Sequence, residues 1–276
     1  MTESPTTTTA AKAQHFLDLH RSERPLLLPN PWDVGSALLL TTLGFSALAT
    51  TSSGFAATLG RSDGQVTGEE ALAHAAAIAA ATDVPVSADF ENGFADVPAA
   101  VAALISAAID SGLAGCSVED ATGRDDEPIY DLAAATDRIA AAAEAAHSGP
   151  TRLVLTARAE NYLYERTDLA DTIARLQAYQ EAGADVLYAP GLISADDIRA
   201  VVTSVDRPVN VLAFPGTPPV AELAELGVSR VSIGGSFAFA ALGAAAEAAA
   251  EFRDHGTYGF LGLARRGSKA ARNAFS

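Results

Sequence analysis

The sequence predicts an α/β chain closed into one (β/α)8 TIM-type barrel over residues 1–276, and three observations predict it. The 276 residues sit close to the roughly 250 of that fold. Short β-rich apolar runs alternate with longer alanine-rich stretches of helical spacing, the pattern of successive βαβ units. Eight such units follow one another without an intervening linker, which suits one closed ring better than two open sheets.

The elements justify this in order. An N-terminal helix precedes the first strand, and residues 1–12, with Thr6–Thr9 in them, are expected to form a disordered tip. The first strand is expected at Leu26–Asn30, with its helix from Asp33 to about Leu43. The second is Phe45–Thr51, and its helix opens near Thr67, where Thr67-Gly-Glu-Glu70 reads as a capping box. The remaining strands are expected at Val84–Asp89, Ala114–Glu119, Arg152–Arg158, Val186–Ala189, Val209–Leu212 and Arg230–Ile233. Pro85 and Pro208 fall at strand starts, where a missing donor is tolerated. Gly44, Gly112, Gly183 and Gly227 fall just past helices, as C′ glycines do. Residues 255–276 form a basic tail, GLARRGSKAARNAFS at its end, that either folds over a neighbouring subunit's acidic surface or frays.

Composition excludes several function classes. The formal net charge is −16 and the pI about 4.6, and no basic cluster occurs before the tail, so neither nucleic acid nor an anionic membrane is an expected partner. One cysteine, Cys116, rules out a disulfide framework and fits a reducing cytoplasm. The start of the chain has no basic n-region leading into an apolar segment, and no uninterrupted apolar run is long enough for a span.

In a barrel of this kind, chemistry sits at the carboxyl ends of the strands and in the loops after them. Those ends carry Asp89-Phe-Glu91, Glu119-Asp120 and Arg158-Ala-Glu160. Asp89 and Glu91 are two residues apart, so on an extended strand they face one side, and Glu119 ends the next strand. Three like charges so close would raise one another's pKa, and a divalent cation removes the conflict. Hard oxygen ligands select Mg2+, with Mn2+ possible, so Asp89, Glu91 and Glu119 are the candidate metal ligands. Arg158 offers a planar fork to a carboxylate or phosphonate, or else closes an ion pair across the mouth; Glu160 would orient it. Ser52-Ser53-Gly54 is either a plain turn or a cradle of amides for a substrate carboxylate. Trp32 and Phe55 are either apolar walls of the site or core. His15, His20, His74, His147 and His255 all fall in helices or at their ends, which argues against an imidazole base.

From about Leu26 to Glu251 the chain resembles the isocitrate lyase/phosphoenolpyruvate mutase superfamily, in its short, mutase-like branch. The segments carrying the resemblance are LPNPWDVGSA, TTSSGFAATLGRSDG, ADFENG, SVED, LTARAENYL and PVNVLAFPGTPPVAELAELGVSRVSIGG. The resemblance implies a homo-oligomer, dimer or tetramer, whose C-terminal helix is swapped between paired subunits. It also implies Mg2+ and a small α-oxo acid or phosphonate, with a C–C or P–C bond made or broken through an enolate-like species. Carried over by motif, Ser53, Gly54 and Phe55 hold the substrate carboxylate, Asp63 stands near the substrate, and Arg158 binds it. Asp89, Glu91 and Glu119 form the metal shell. Arg158, Asp63 and Glu119 are thus the expected catalytic residues, and Ser53, Gly54, Phe55, Arg158 and Trp32 the expected substrate contacts. The segment Ala121–Pro128 has neither the cysteine loop of the lyases nor the Lys-x-Asn segment of the mutases. That leaves a lyase or phosphonomutase-like reaction, an oxaloacetate-type hydrolase or decarboxylase, or a non-catalytic oxo-acid-binding barrel.

Overall fold

Strand pairing in the computed structural model, which describes residues 8–276, closes the ring almost completely. Eight parallel strands follow one another around it: β1 (Leu26–Leu28), β2 (Leu48–Ala49), β3 (Val86–Asp89), β4 (Gly115–Glu119), β5 (Val154–Arg158), β6 (Val186–Tyr188), β7 (Val209–Leu212) and β8 (Arg230–Ser232). β1 pairs with β8 from Leu26 opposite Arg230 to Leu28 opposite Ser232. The remaining seam, between β1 and β2, is bridged by the Ala49 amide donating to the Pro29 carbonyl at 3.1 Å.

Eleven α-helices accompany the strands among the described residues: α1 (Thr9–Leu19), α2 (Val34–Thr42), α3 (Ser52–Thr58), α4 (Gly68–Ala81), α5 (Pro98–Asp110), α6 (Leu132–His147), α7 (Leu169–Glu181), α8 (Ala195–Ser204), α9 (Val220–Glu225), α10 (Ser236–His255) and α11 (Leu261–Ala274). Their starts follow from short polar side chains that accept from free first-turn amides. Asp33 with Ser36, and Thr67 with Glu70, form reciprocal capping boxes at α2 and α4. Small alanine faces let the helices pack closely, so one continuous core runs between strands and helices through Ile78, Ile105, Ile139, Leu155, Leu176, Leu187 and Val211.

A second, smaller core closes the floor of the barrel. Phe16 and Ala13 of α1 pack there against Leu26, Leu28, Val154 and Val186. Gly115 is what admits Phe16: a Cβ at that position would stand 2.7 Å from the Phe16 ring and 2.9 Å from the Val154 carbonyl. Above this plug the inward-facing residues turn polar, and the site is built on them.

Several boundaries differ from the sequence expectation. Residues 9–12 belong to α1, whose N-cap Thr8 accepts from the Ala11 amide, so the expected disordered tip is wrong for them; residues 1–7 lie outside the described residues. β2 is only two residues long, because Thr51 caps a new helix through the Gly54 amide. The Ser52-Ser53-Gly54 stretch is therefore the first turn of α3 and not a plain turn. β5 begins at Val154, since Arg152 turns out to pair with Asp185 at 2.7 Å. Part of the expected tail is helical: α11 packs against α2 of its own chain.

Candidate active site

The mouth of the barrel holds a cavity of about 300 Å3 and, beside it, a wider lobe of about 1050 Å3. Ser52, Asp63, Arg158 and Leu163 line both. Arg158, the last residue of β5, is the hub. Its Nη1 lies 2.9 Å from Asp89 Oδ1, its Nη2 3.1 Å from Glu119 Oε2 and its Nε 2.9 Å from Glu160 Oε1. The Tyr188 ring covers the guanidinium from β6, 5.1 Å from carbon to centroid. Strand register explains the grouping, because Glu119 is opposite Arg158 and Arg158 opposite Tyr188, so all three point inward at one level.

Asp89 is fixed from several sides. Its Oδ2 accepts the Ser52 amide at 3.0 Å, its Oδ1 accepts the Ser117 hydroxyl at 3.3 Å, and its own amide donates to Thr50 Oγ1 at 2.8 Å. Glu91 follows in the left-handed region, φ 46°, which an L side chain adopts at a cost of order 1 kcal/mol. The surroundings hold it there: its carbonyl accepts the Glu119 amide at 2.9 Å, and buried Arg138 fastens the carbonyls of Asn92 and Ala95 just after it.

Five carboxylates, from Asp63, Asp89, Glu91, Glu119 and Glu160, thus face a single arginine. Burial, then the neighbouring acids Asp89 and Asp63, pushes Glu91 up to about 8. Burial also raises Glu119 well above the carboxylate range, with Arg158 opposing and Glu160 and Asp89 adding to the rise. Asp63 and Glu160 are raised as well, chiefly by burial. Such a set is short of positive charge, and its hard oxygen donors fit Mg2+ or Mn2+. Among the described residues no three acidic, histidine or cysteine side chains are gathered closely enough to hold an ion, because Arg158 occupies the space between Asp89 and Glu119. One or two carboxylates with water and substrate oxygens suffice for Mg2+.

The other expected residues separate into two groups. Ser53 lines the smaller cavity and Asp63 faces both lobes, opposite the Ser52 hydroxyl. Gly54 is buried, with its amide engaged by Thr51 and no room for a side chain: a Cβ would meet Thr51 Cγ2 at 2.6 Å. Phe55 turns away from the main cavity and stacks on His74, with centroids 3.8 Å apart. Trp32 does not line either lobe; its carbonyl meets His74 Nε2 at 3.0 Å. Cys116 is fully buried in β4, and its thiol pKa is raised by that burial. Asp120 accepts from the Glu160 amide, Arg175 and Tyr179, which anchors the strand ends beneath the acids. Arg124, in the segment after β4, is tied to Asp96 at 3.1 Å.

Sequence reasoning passed over Tyr188, Asn210 and Arg230. Their signal was strand alternation: Asn210 and Arg230 are opposite each other, and Tyr188 is opposite Asn210, so the polar residues share the inner face.

The family profile described as phosphoenolpyruvate phosphomutase matches residues 16–253. The chain belongs to this family. An uncharacterized protein of Mycobacterium tuberculosis (strain ATCC 25618 / H37Rv) is 36% identical over 240 residues, 87% of this chain and 89% of the relative. The 2-methylisocitrate lyase of Escherichia coli (strain K12) is 31% identical over 206 residues, 71% and 68% of the two chains. A crystal structure from Burkholderia cenocepacia J2315, described only by class as a lyase/mutase, superposes with a TM-score of 0.89 at 52% identity, covering 91% of each chain. Oxaloacetate acetylhydrolase with its product oxalate gives 0.83 at 26% identity, covering 93% of this chain and 90% of the other. Phosphonopyruvate hydrolase with oxalate and Mg2+ gives 0.79 at 26%, covering 89% and 88%. The chain is an enzyme of the isocitrate lyase/phosphoenolpyruvate mutase superfamily. No helix among the described residues is long and apolar enough to cross a membrane.

Proposed function

We propose that this enzyme is a Mg2+-dependent lyase or phosphonomutase-like catalyst acting on a small α-oxo acid, breaking or making a C–C or P–C bond next to the oxo group. One observation carries the reading: Asp89, Glu119 and Glu160 pair with Arg158 at the mouth and Glu91 and Asp63 stand near them, an excess of negative charge that a divalent cation and an anionic substrate would resolve together. Asp89 would hold the ion, with Glu91 and Glu119 reaching it directly or through water. Bound there, it would supply Lewis-acid stabilisation of negative charge on the oxo-acid oxygen. Arg158 binds the acid group and Glu160 fixes its plane through Nε. Ser53, at the start of α3, closes the near end of the cavity, and Asp63 stands opposite as the candidate proton-transfer group. Burial, with Asp89 adding to it, raises its pKa above the usual carboxylate value.

The segment Ala121–Pro128 favours keeping a second reading, hydrolysis or decarboxylation of an oxaloacetate-like acid. It offers no thiol, and its one cation, Arg124, is already paired with Asp96. The likeness to oxaloacetate acetylhydrolase and phosphonopyruvate hydrolase supports the same alternative. Calorimetry of oxalate with Mg2+ tests the site: Asp89→Ala should abolish metal-dependent oxalate binding, and binding equal to wild type would overturn the assignment. Product analysis on oxaloacetate, phosphonopyruvate and 2-methylisocitrate separates the two reactions.

The working enzyme is proposed to be a cytoplasmic homo-oligomer with an exchanged α10. That helix has 20 residues but buries only Ala238 and exposes Phe237, Leu242 and Phe252. Leu27, on β1, is itself 43% exposed. A second copy's α10 would cover such a surface. Leu242→Glu with Phe252→Glu should yield monomers in sedimentation, and an unchanged mass would remove the proposal.

A further inference from the structure

One cation inside the barrel is not explained by the acidic cluster at the mouth. Arg230, the first residue of β8, is only 4% exposed, yet it lines the smaller cavity together with Arg158. Its side chain crosses the interior towards β5. Nη1 donates to Thr156 Oγ1 at 3.1 Å, and Thr156 stands two residues before Arg158 on the same strand. The Arg230 guanidinium therefore meets β5 at Thr156, the inward-facing position before that of the Arg158 guanidinium.

Their surroundings are opposite in kind. Arg158 is held by three carboxylates, whereas Arg230 meets neutral groups alone. Nε donates to Asn210 Oδ1 at 2.8 Å, and that amide is itself fixed by Nδ2 donating to Ser232 Oγ at 3.0 Å. Nη1 also lies 3.2 Å from His20 Nε2. His20 Nδ1 is 2.7 Å from the Phe16 carbonyl, which can only accept, so Nδ1 carries the proton and Nε2 presents its lone pair to Arg230. No carboxylate pairs with Arg230 among the described residues. Nη2 has no partner among the described residues either and is not among the buried atoms sealed off without one, and Arg230 lines the cavity. Burial lowers the Arg230 pKa to about 10, which leaves it charged at neutral pH. A buried cation held by neutral acceptors, with one fork arm unpartnered at the lining of a cavity, is suited to receive an anion.

We propose that Arg230 is the specificity-determining residue of a second anion subsite at the floor of the cavity. It takes the oxyanion group, carboxylate or phosphonate, at the end of the substrate remote from its 2-oxo acid. Asn210 and Thr156 set the plane of the guanidinium, and Nη2 donates to that oxyanion. This inference deepens the reading above and rests on it: the 2-oxo acid end sits at Arg158 and Asp89, and the floor selects substrates with a second negative group. A floor of this kind disfavours acids that end in a methyl group, since they would leave the Arg230 charge buried and unmatched.

The test compares three ligands on the Mg2+-loaded full chain by calorimetry. Oxalate reaches only the upper level, whereas 3,3-difluorooxaloacetate adds a far carboxylate and phosphonopyruvate a far phosphonate. Arg230→Met should weaken whichever of the longer anions wild type binds by at least about tenfold while oxalate stays within about twofold, as expected for loss of one charge-assisted hydrogen bond. Arg230→Lys should restore part of the loss. The longer ligand that loses affinity identifies the far group as carboxylate or phosphonate. Equal losses for oxalate and the longer anions, or no loss for any, overturn the subsite. Should the Met variant not fold, as judged by circular dichroism, Arg230→Gln takes its place with the same expectations. If wild type binds none of the three, the reading above has failed and the floor is judged alone. Bromide soaked into crystals should then give an anomalous peak beside Nη2 in wild type and none in the variant, and no peak in wild type overturns the inference.

Discussion

The mouth and the floor of this barrel each hold a buried arginine, and the difference between them separates two uses of one residue type. At the mouth Arg158 is surrounded by Asp89, Glu119 and Glu160, so negative charge is in excess and the missing component is a cation. At the floor Arg230 has Asn210, Thr156 and His20 for neighbours, so positive charge is in excess and the missing component is an anion. A ligand bearing a metal at one end and a free oxyanion at the other matches both. The comparison teaches that charge type alone does not define a site; the unbalanced remainder after pairing does.

The largest expected effect is at the mouth. Arg158→Met should destabilise the metal-free protein by about 3–5 kcal/mol in urea unfolding, because it leaves several buried acids with no counter-charge. The same substitution at the floor should be near neutral, within about 1 kcal/mol, since Arg230 has no buried charge to orphan. Equal losses for the two variants would break the contrast.

Gly54→Ala comes next, with an expected loss of about 1–3 kcal/mol from overpacking, as its Cβ would press on Thr51 and Trp32. Unchanged thermal stability would mean that α3 can shift away from the mouth.

The pH dependence should run in opposite directions at Glu91 and at His20. Glu91 is raised from 4.5 to about 8, so the metal-free folded state binds the proton more tightly than the unfolded chain. Its contribution should be present below pH about 4.5 and lost as pH rises through 8, and Glu91→Gln should flatten that part of the stability curve. His20 is lowered from 6.5 to about 3, mainly by burial. Its contribution should be present above pH about 6.5 and lost as pH falls towards 3, and His20→Asn should remove that acid limb. Urea midpoints between pH 4 and 9 measure both; identical limbs in wild type and variants would deny the assigned titrations.

The resemblance to oxo-acid enzymes could be read from motifs because those residues stand where the fold requires them. Asp89, Glu119 and Arg158 end apolar runs, and a barrel strand has to place its last inward residue at the mouth. The wall residues were less legible. Phe55 and Trp32 lie within a few residues of the mouth, yet the first turn of α3 rotates Phe55 onto His74. Sequence proximity carries no information about which side of a helix turn faces a cavity.

What the sequence determined by itself was the order of elements, the barrel and the acids at its strand ends, because apolar period and capping chemistry are local. Tertiary structure alone decided the pairing. It put Arg158 between Asp89 and Glu119, and it carried Arg230 across the barrel to Thr156. Both outcomes depend on contacts between strands 69 and 74 residues apart in the chain. The physical reason is that register around a closed sheet, not neighbourhood along the chain, fixes which buried charges are balanced and which are left for a ligand.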